Sequence, residues 1–186
     1  MEKKKILPLQ IISLILLAAG LVCYAFVSIN RSTDISLRSQ SVLSVLFTVS
    51  SVIALLAGVV YVLQGFKKDV AGLYKGFIWL SVASAFFGAV VCMSFGFPVL
   101  SSFLVLADLI LLTILAVGKD LGKIKTHIIA IVIVVIRAAT VVSIITNQEM
   151  NTMTALCNTL GQLIVSVVIL LLAIGKYIDK AARGTK

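Results

Sequence analysis

Charge is what this chain has least of. Asp, Glu, Lys and Arg make up only 12% of its 186 residues, where a soluble domain carries about a quarter. Proline occurs twice and glycine 12 times, too few for a collagen-like or low-complexity chain. There is a single histidine, His127, so haem held by two histidines of this chain is excluded by count. No HExxH, GxSxG, P-loop or Rossmann glycine pattern occurs. Cys23, Cys92 and Cys157 stand far apart with no CxxC, and an odd count leaves no complete disulfide framework. They read as small apolar packing residues. Catalytic chemistry, a resident cofactor and a metal ion therefore find no set of residues to carry them.

Apolar residues are abundant, at 61%, with a mean hydropathy of +1.19. Crossing roughly 30 Å of hydrocarbon takes about 17 to 25 apolar residues in a helix. Six runs qualify, at about 6–28, 42–63, 77–94, 98–117, 128–146 and 155–175. The third and fourth are separated only by FGFP, residues 95–98. One unbroken helix across both would be roughly 60 Å long, twice the membrane. Proline in a first turn and glycine just before it permit a reversal, so two helices in a tight hairpin are expected. The runs do not alternate in polarity, which excludes a β-barrel. The expected fold is all-α: a single polytopic membrane domain of six transmembrane helices spanning residues 1–186.

Orientation follows from the lysines and arginines. Lys3, Lys4 and Lys5 precede the first run, and Lys67, Lys68 and Lys75 follow the second. Lys119, Lys123 and Lys125 lie between the fourth and fifth, and Lys176, Lys180, Arg183 and Lys186 follow the sixth. These four segments hold 13 of the 16 basic residues, while the other side has Arg31 and Arg38. Basic residues accumulate on the cytoplasmic side, so both termini are expected in the cytoplasm and the chain in a cell inner membrane. MEKKK before an apolar run looks like a signal peptide, but the run is about twice the length of a signal core. The lysines sit at helix ends, where anionic lipid headgroups account for them without a nucleic-acid partner. Tyr24 is expected near the outer boundary and Tyr61, Tyr74, Trp79 and Tyr177 near the inner one. Phe86 and Phe87 read as mid-helix packing residues. KKDVAGLYK reads as a short interfacial helix with Val70, Leu73 and Tyr74 toward lipid.

Two charges break the apolar pattern: Asp108 in LVLADLILL and Arg137 in VIVVIRAAT. Each is about ten residues inside its run, or roughly 15 Å deep. An isolated charge there costs from about 3 to over 10 kcal/mol, so the two are expected to pair in the bundle interior. Asn158, Gln162 and Ser166 recur at i, i+4, i+8 on one face of the sixth run, with Gln162 at the same depth. Arg137 and Thr140 share a face of the fifth. Asp108, Arg137, Gln162, Asn158 and Thr140 form a candidate midplane binding cluster. Ser44, Thr48 and Ser51 make a milder stripe on the second run. Small residues at Ser81, Ser84, Ala85, Gly88, Ala89 and Cys92 on the third, with Ala54 and Gly58 on the second, let backbones approach closely.

Size, six spans, cytoplasmic termini and the shortage of chemistry resemble the substrate-binding membrane subunits of the energy-coupling-factor vitamin importers. That resemblance implies a partner membrane subunit or ATPase module, docked through small first-helix residues that here would be Ala18, Ala19 and Cys23. The extracellular loops that cap the substrate in that family are short in this chain. Two functions are expected from the sequence. One is a small-solute transport or substrate-binding membrane subunit with an unknown small-molecule ligand. The other is a non-enzymatic accessory or structural subunit of a membrane complex.

Overall fold

The computed structural model describes residues 3–33, 41–64, 71–94, 99–118, 121–146 and 153–184. Among them are six helices: α1 (Lys3–Thr33), α2 (Ser41–Leu63), α3 (Ala71–Ser94), α4 (Val99–Val117), α5 (Gly122–Thr146) and α6 (Met153–Gly184). Each packs against its chain neighbours, and α6 closes the bundle against α1 while also reaching α2 and α3. α3 ends at Ser94 and α4 begins at Val99, so the long apolar stretch is two helices that pack together. The FGFP turn itself lies outside the described residues, as do the loop charges Arg38, Lys67, Lys68 and Lys119 and the side chains of Ser44 and Cys92.

The bundle has its polarity reversed relative to a soluble one. On α1 the inward stripe is Ser13, Leu17, Gly20, Tyr24 and Val27, while Ile11, Ile15, Val22, Phe26 and Ile29 point out. On α5, Thr126, Ala130, Ile133, Arg137, Thr140 and Ile144 face in, against Ile124, Ile128, Ile131, Val135 and Val142 outside. Both stripes follow the spacing of one helix face. A helix whose outside is Ile and Val and whose inside holds Ser, Thr, Asp and Arg is solvated by lipid. Among the described residues, five helices are long and apolar enough to cross a membrane, and α4 adds the shorter apolar stretch Ser102–Val117. The protein is an all-α polytopic membrane protein.

Small residues of the third run, Ser81, Ser84, Ala85, Gly88 and Ala89, are buried, as are Ala54 and Gly58 of α2. They let α2 and α3 approach within the chain. Three tyrosines assigned to the membrane boundaries point into the protein instead. Tyr24 and Tyr61 are 0% and 1% exposed, and Tyr61 packs on buried Tyr74 with ring centroids 5.6 Å apart. The interfacial helix does not form over the residues described. Leu73 and Tyr74 belong to the first turns of α3, with Tyr74 against α2 rather than lipid. Phe86 is half exposed, touching Phe87 at 5.7 Å, and is not a core residue. Trp79 faces outward.

The α4–α5 connection fixes the geometry of the charged residues. The Gly118 amide donates to the Ile114 carbonyl at 3.0 Å, completing the last turn of α4. Gly122 opens α5 with φ of 57°, a left-handed backbone that costs a residue with a Cβ about 1–2 kcal/mol.

Candidate functional site: a charged pair midway along the bundle

Asp108 and Arg137 are both 4% exposed, and they meet as a bidentate pair. Arg137 Nε donates to Asp108 Oδ1 at 3.0 Å and to Oδ2 at 3.1 Å, and Nη2 donates to Oδ2 at 2.9 Å. Two parallel N–H groups on one carboxylate form the strongest arrangement available to these side chains. The sequence placed both residues at equal depth by counting from the ends of the apolar runs. α5 in fact begins at Gly122, so Arg137 is fifteen residues from its helix start and Asp108 nine from Val117. That is an offset of roughly 9 Å along the axes. Helical side chains lean toward their own N-termini, so Arg137 reaches back toward the turn and Asp108 leans away from it. The length of arginine closes the gap.

A third helix joins through its backbone. Arg137 Nη1 donates to the Gln162 carbonyl of α6, which tolerates a second donor because an amide oxygen has two lone pairs. The sequence marked Gln162 for its side chain, yet its main-chain oxygen meets the arginine. The amide Nε2 lies toward α3 instead, 3.3 Å from where a Cβ on Gly88 would stand. Thr140 is buried on the arginine's face, but its hydroxyl donates to the Ile136 carbonyl at 3.0 Å and is spent on its own helix. Asn158 is half buried, and among the described residues its Oδ1 has no hydrogen-bond partner. Of the five marked residues, the structure brings Asp108, Arg137 and Gln162 into direct contact.

Three residues not assigned to the cluster extend this polar layer. Ser51 of α2 and Ser84 of α3 share a hydrogen bond at 2.5 Å between hydroxyls, and Ser51 also donates to the Phe47 carbonyl at 2.8 Å. Beside them is Tyr24 of α1, which meets Phe47 edge-on at 6.3 Å. Its ring packs on Gly161 so closely that a Cβ there would fall 2.8 Å from a ring carbon and 3.2 Å from the hydroxyl. The Tyr24 hydroxyl is fully buried beside Ser51 and makes no well-formed hydrogen bond among the described residues. Its signal in the sequence was its place on the heptad-like stripe of α1 that carries Ser13, four and three residues apart in turn.

The layer thus runs from the α4–α5 ion pair, through the Gly161–Gln162 peptide of α6, to Tyr24 and the serine pair. No protein-family model matches this chain, and no curated protein or solved structure shows detectable similarity to it.

Proposed function

We propose that the protein is a small-solute transport or substrate-binding membrane subunit, with six spans and both termini in the cytoplasm. Its site is the polar layer around Asp108, Arg137, Gln162 and Asn158. The observation that carries this reading is the desolvated ion pair midway along the bundle. Buried pairs contribute little net stability, and apolar residues of similar volume often serve as well. Ionisable groups at the membrane midplane characteristically mark solute and ion pathways. Transporter sites lie at that depth, where irregular polar contacts between helices gather. Asn158 Oδ1, one turn from Gln162 on α6, and the Tyr24 hydroxyl make no well-formed hydrogen bond among the described residues and add hydrogen-bonding capacity nearby. The division of basic residues, 13 against two outside the spans, supports the orientation.

A second reading, an accessory subunit of a membrane complex, is favoured by one observation. Ala18 and Ala19 lie exposed on the outer face of α1, with Cys23 half buried beside them. Such a face suits contact with a partner membrane subunit or an ATPase module.

A thermal-shift series on the purified protein separates the two readings. Wild type is tested against small carboxylates, neutral polar solutes and inorganic cations, and the series is repeated on the Asp108→Asn/Arg137→Gln double variant. The solute reading predicts stabilisation of wild type by at least one solute and its loss in the double variant. A stabilising solute that acts equally on both proteins contradicts the midplane site, and no response to any class favours the accessory role.

A further inference from the structure

We infer that the solute is a small carboxylate, which exchanges with Asp108 for the Arg137 fork while Asp108 takes up a proton. This rests on the solute-site reading above and specifies its ligand. Arg137 Nε and Nη2 present two N–H groups to the Asp108 carboxylate, at 3.0 and 2.9 Å. The planar guanidinium matches the two oxygens of a carboxylate, so Asp108 occupies the place a carboxylate ligand would take. The remaining arm, Nη1, is anchored on the Gln162 carbonyl and keeps the guanidinium in position when Asp108 leaves.

Charge decides how the exchange proceeds. A ligand carboxylate beside an ionised Asp108 would set two negative charges against one positive charge in a desolvated interior, which is strongly disfavoured. Taking a proton on release removes that excess. A lone pair of a carboxylate oxygen of Asp108 forms the new O–H bond with a proton from the aqueous side, and Arg137 stays matched by the ligand. One proton therefore enters with each carboxylate bound. Among the described residues, the elements around the pair bring no further charge to this layer. α1 contributes Tyr24, α2 and α3 the hydroxyls of Ser51 and Ser84, and α6 the amides of Asn158 and Gln162.

The other end of the ligand is indicated by the Tyr24 hydroxyl and Asn158 Oδ1, which make no well-formed hydrogen bond among the described residues. Gln162 faces Arg137 through its carbonyl, and the preceding residue, Gly161, lies against the Tyr24 hydroxyl. Asn158 stands one turn before Gln162 on α6, and such neighbouring positions are about 5–6 Å apart. A ligand with a hydroxyl or amino group next to the carboxylate would bring a donor to this layer, where the Tyr24 hydroxyl and Asn158 Oδ1 can accept. Small 2-hydroxy or 2-amino acids have that arrangement, whereas acetate satisfies the fork alone.

Asp108→Asn tests the exchange, because it copies the protonated acid and leaves the fork empty. Unfolding midpoints of the variant and of wild type are measured in acetate, L-lactate and chloride at equal ionic strength. The variant should be stabilised by acetate, more by lactate and not by chloride, with little dependence on pH. Wild type should bind lactate about tenfold more tightly for each pH unit lowered, taking up about one proton per lactate in weakly buffered solution. Tyr24→Phe should reduce the lactate response to that of acetate. Should Asp108→Asn not fold, proton uptake by wild type decides. Lactate binding without proton uptake, or stabilisation of the variant by chloride as well as by acetate, overturns the exchange. Stabilisation of wild type only by a neutral solute or cation, lost in the Asp108→Asn/Arg137→Gln variant, overturns the carboxylate assignment but leaves the solute site standing. No stabilisation by any solute overturns both.

Discussion

At Gly161 a hydrogen atom is all the space allows, since a Cβ would lie 2.8 Å from the Tyr24 ring. Gly161→Ala must push that ring toward Phe47 and Ser51, and overpacking of this kind costs about 1–3 kcal/mol. A lowered unfolding midpoint is expected, with Tyr24→Phe/Gly161→Ala no better than Gly161→Ala alone because the clash is with the ring. Tyr24→Phe by itself removes a buried hydroxyl that makes no well-formed hydrogen bond among the described residues, so its midpoint should equal or exceed that of wild type. A clear loss of stability would show that the hydroxyl is bonded within the protein. Gln162→Leu keeps the main-chain oxygen that Arg137 uses, and a mild effect on folded yield is expected. The ion pair was legible in the sequence because two charges in apolar runs have few ways to be solvated in lipid. The role of Gln162 was legible only in part. A main-chain carbonyl carries no signature in residue type, so the polar side chain at 162 marked the helix without indicating which atom meets the arginine.

Helices were the most legible elements, because an apolar run of membrane length has few alternatives to the α-helix. The break between α3 and α4 followed from length, with the glycine and proline of FGFP placing it. Lateral orientation was harder to read. Where both faces of a helix are apolar, as on α3, periodicity does not separate lipid from protein, and Phe86, read as a packing residue, turns half its surface outward. Tyrosine depth preferences describe rings at a lipid boundary, but Tyr24, Tyr61 and Tyr74 each found a packing partner in a neighbouring helix. The start of α5 was placed six residues late because Lys123, Lys125 and His127 interrupt the apolar run without interrupting the helix. At that start, Gly122→Ala should lower the unfolding midpoint through backbone strain at φ of 57°, worth about 1–2 kcal/mol. Gly72→Ala and Gly76→Ala in α3 meet nothing within 4 Å and should be neutral or slightly stabilising, since alanine favours a helix over glycine. Equal losses at all three positions would refute the strain at Gly122.

On the scale of the whole molecule, the outward Ile and Val faces and inward polar groups identify a lipid-solvated bundle, while the direction of insertion rests on the lysines. Single cysteines introduced at Ser32 and Thr185, in a variant lacking the native thiols, should divide in intact cells. An impermeant reagent should reach position 32 and leave position 185 unlabelled until the membrane is opened. Equal labelling of both from outside would contradict six spans with both termini in the cytoplasm. The ion pair and its contact with the Gln162 carbonyl join α4, α5 and α6 at one level. Removing one partner of a buried pair leaves a stranded charge, typically at a loss of about 3–5 kcal/mol, whereas removing both leaves none. The most direct measurement is therefore a double-mutant cycle in the purified protein, using unfolding stabilities of wild type, Asp108→Asn, Arg137→Gln and the double variant. Each single variant should be strongly destabilised and the double close to wild type, with losses far from additive. Two losses that simply add would show that Asp108 and Arg137 are not partners in the folded protein.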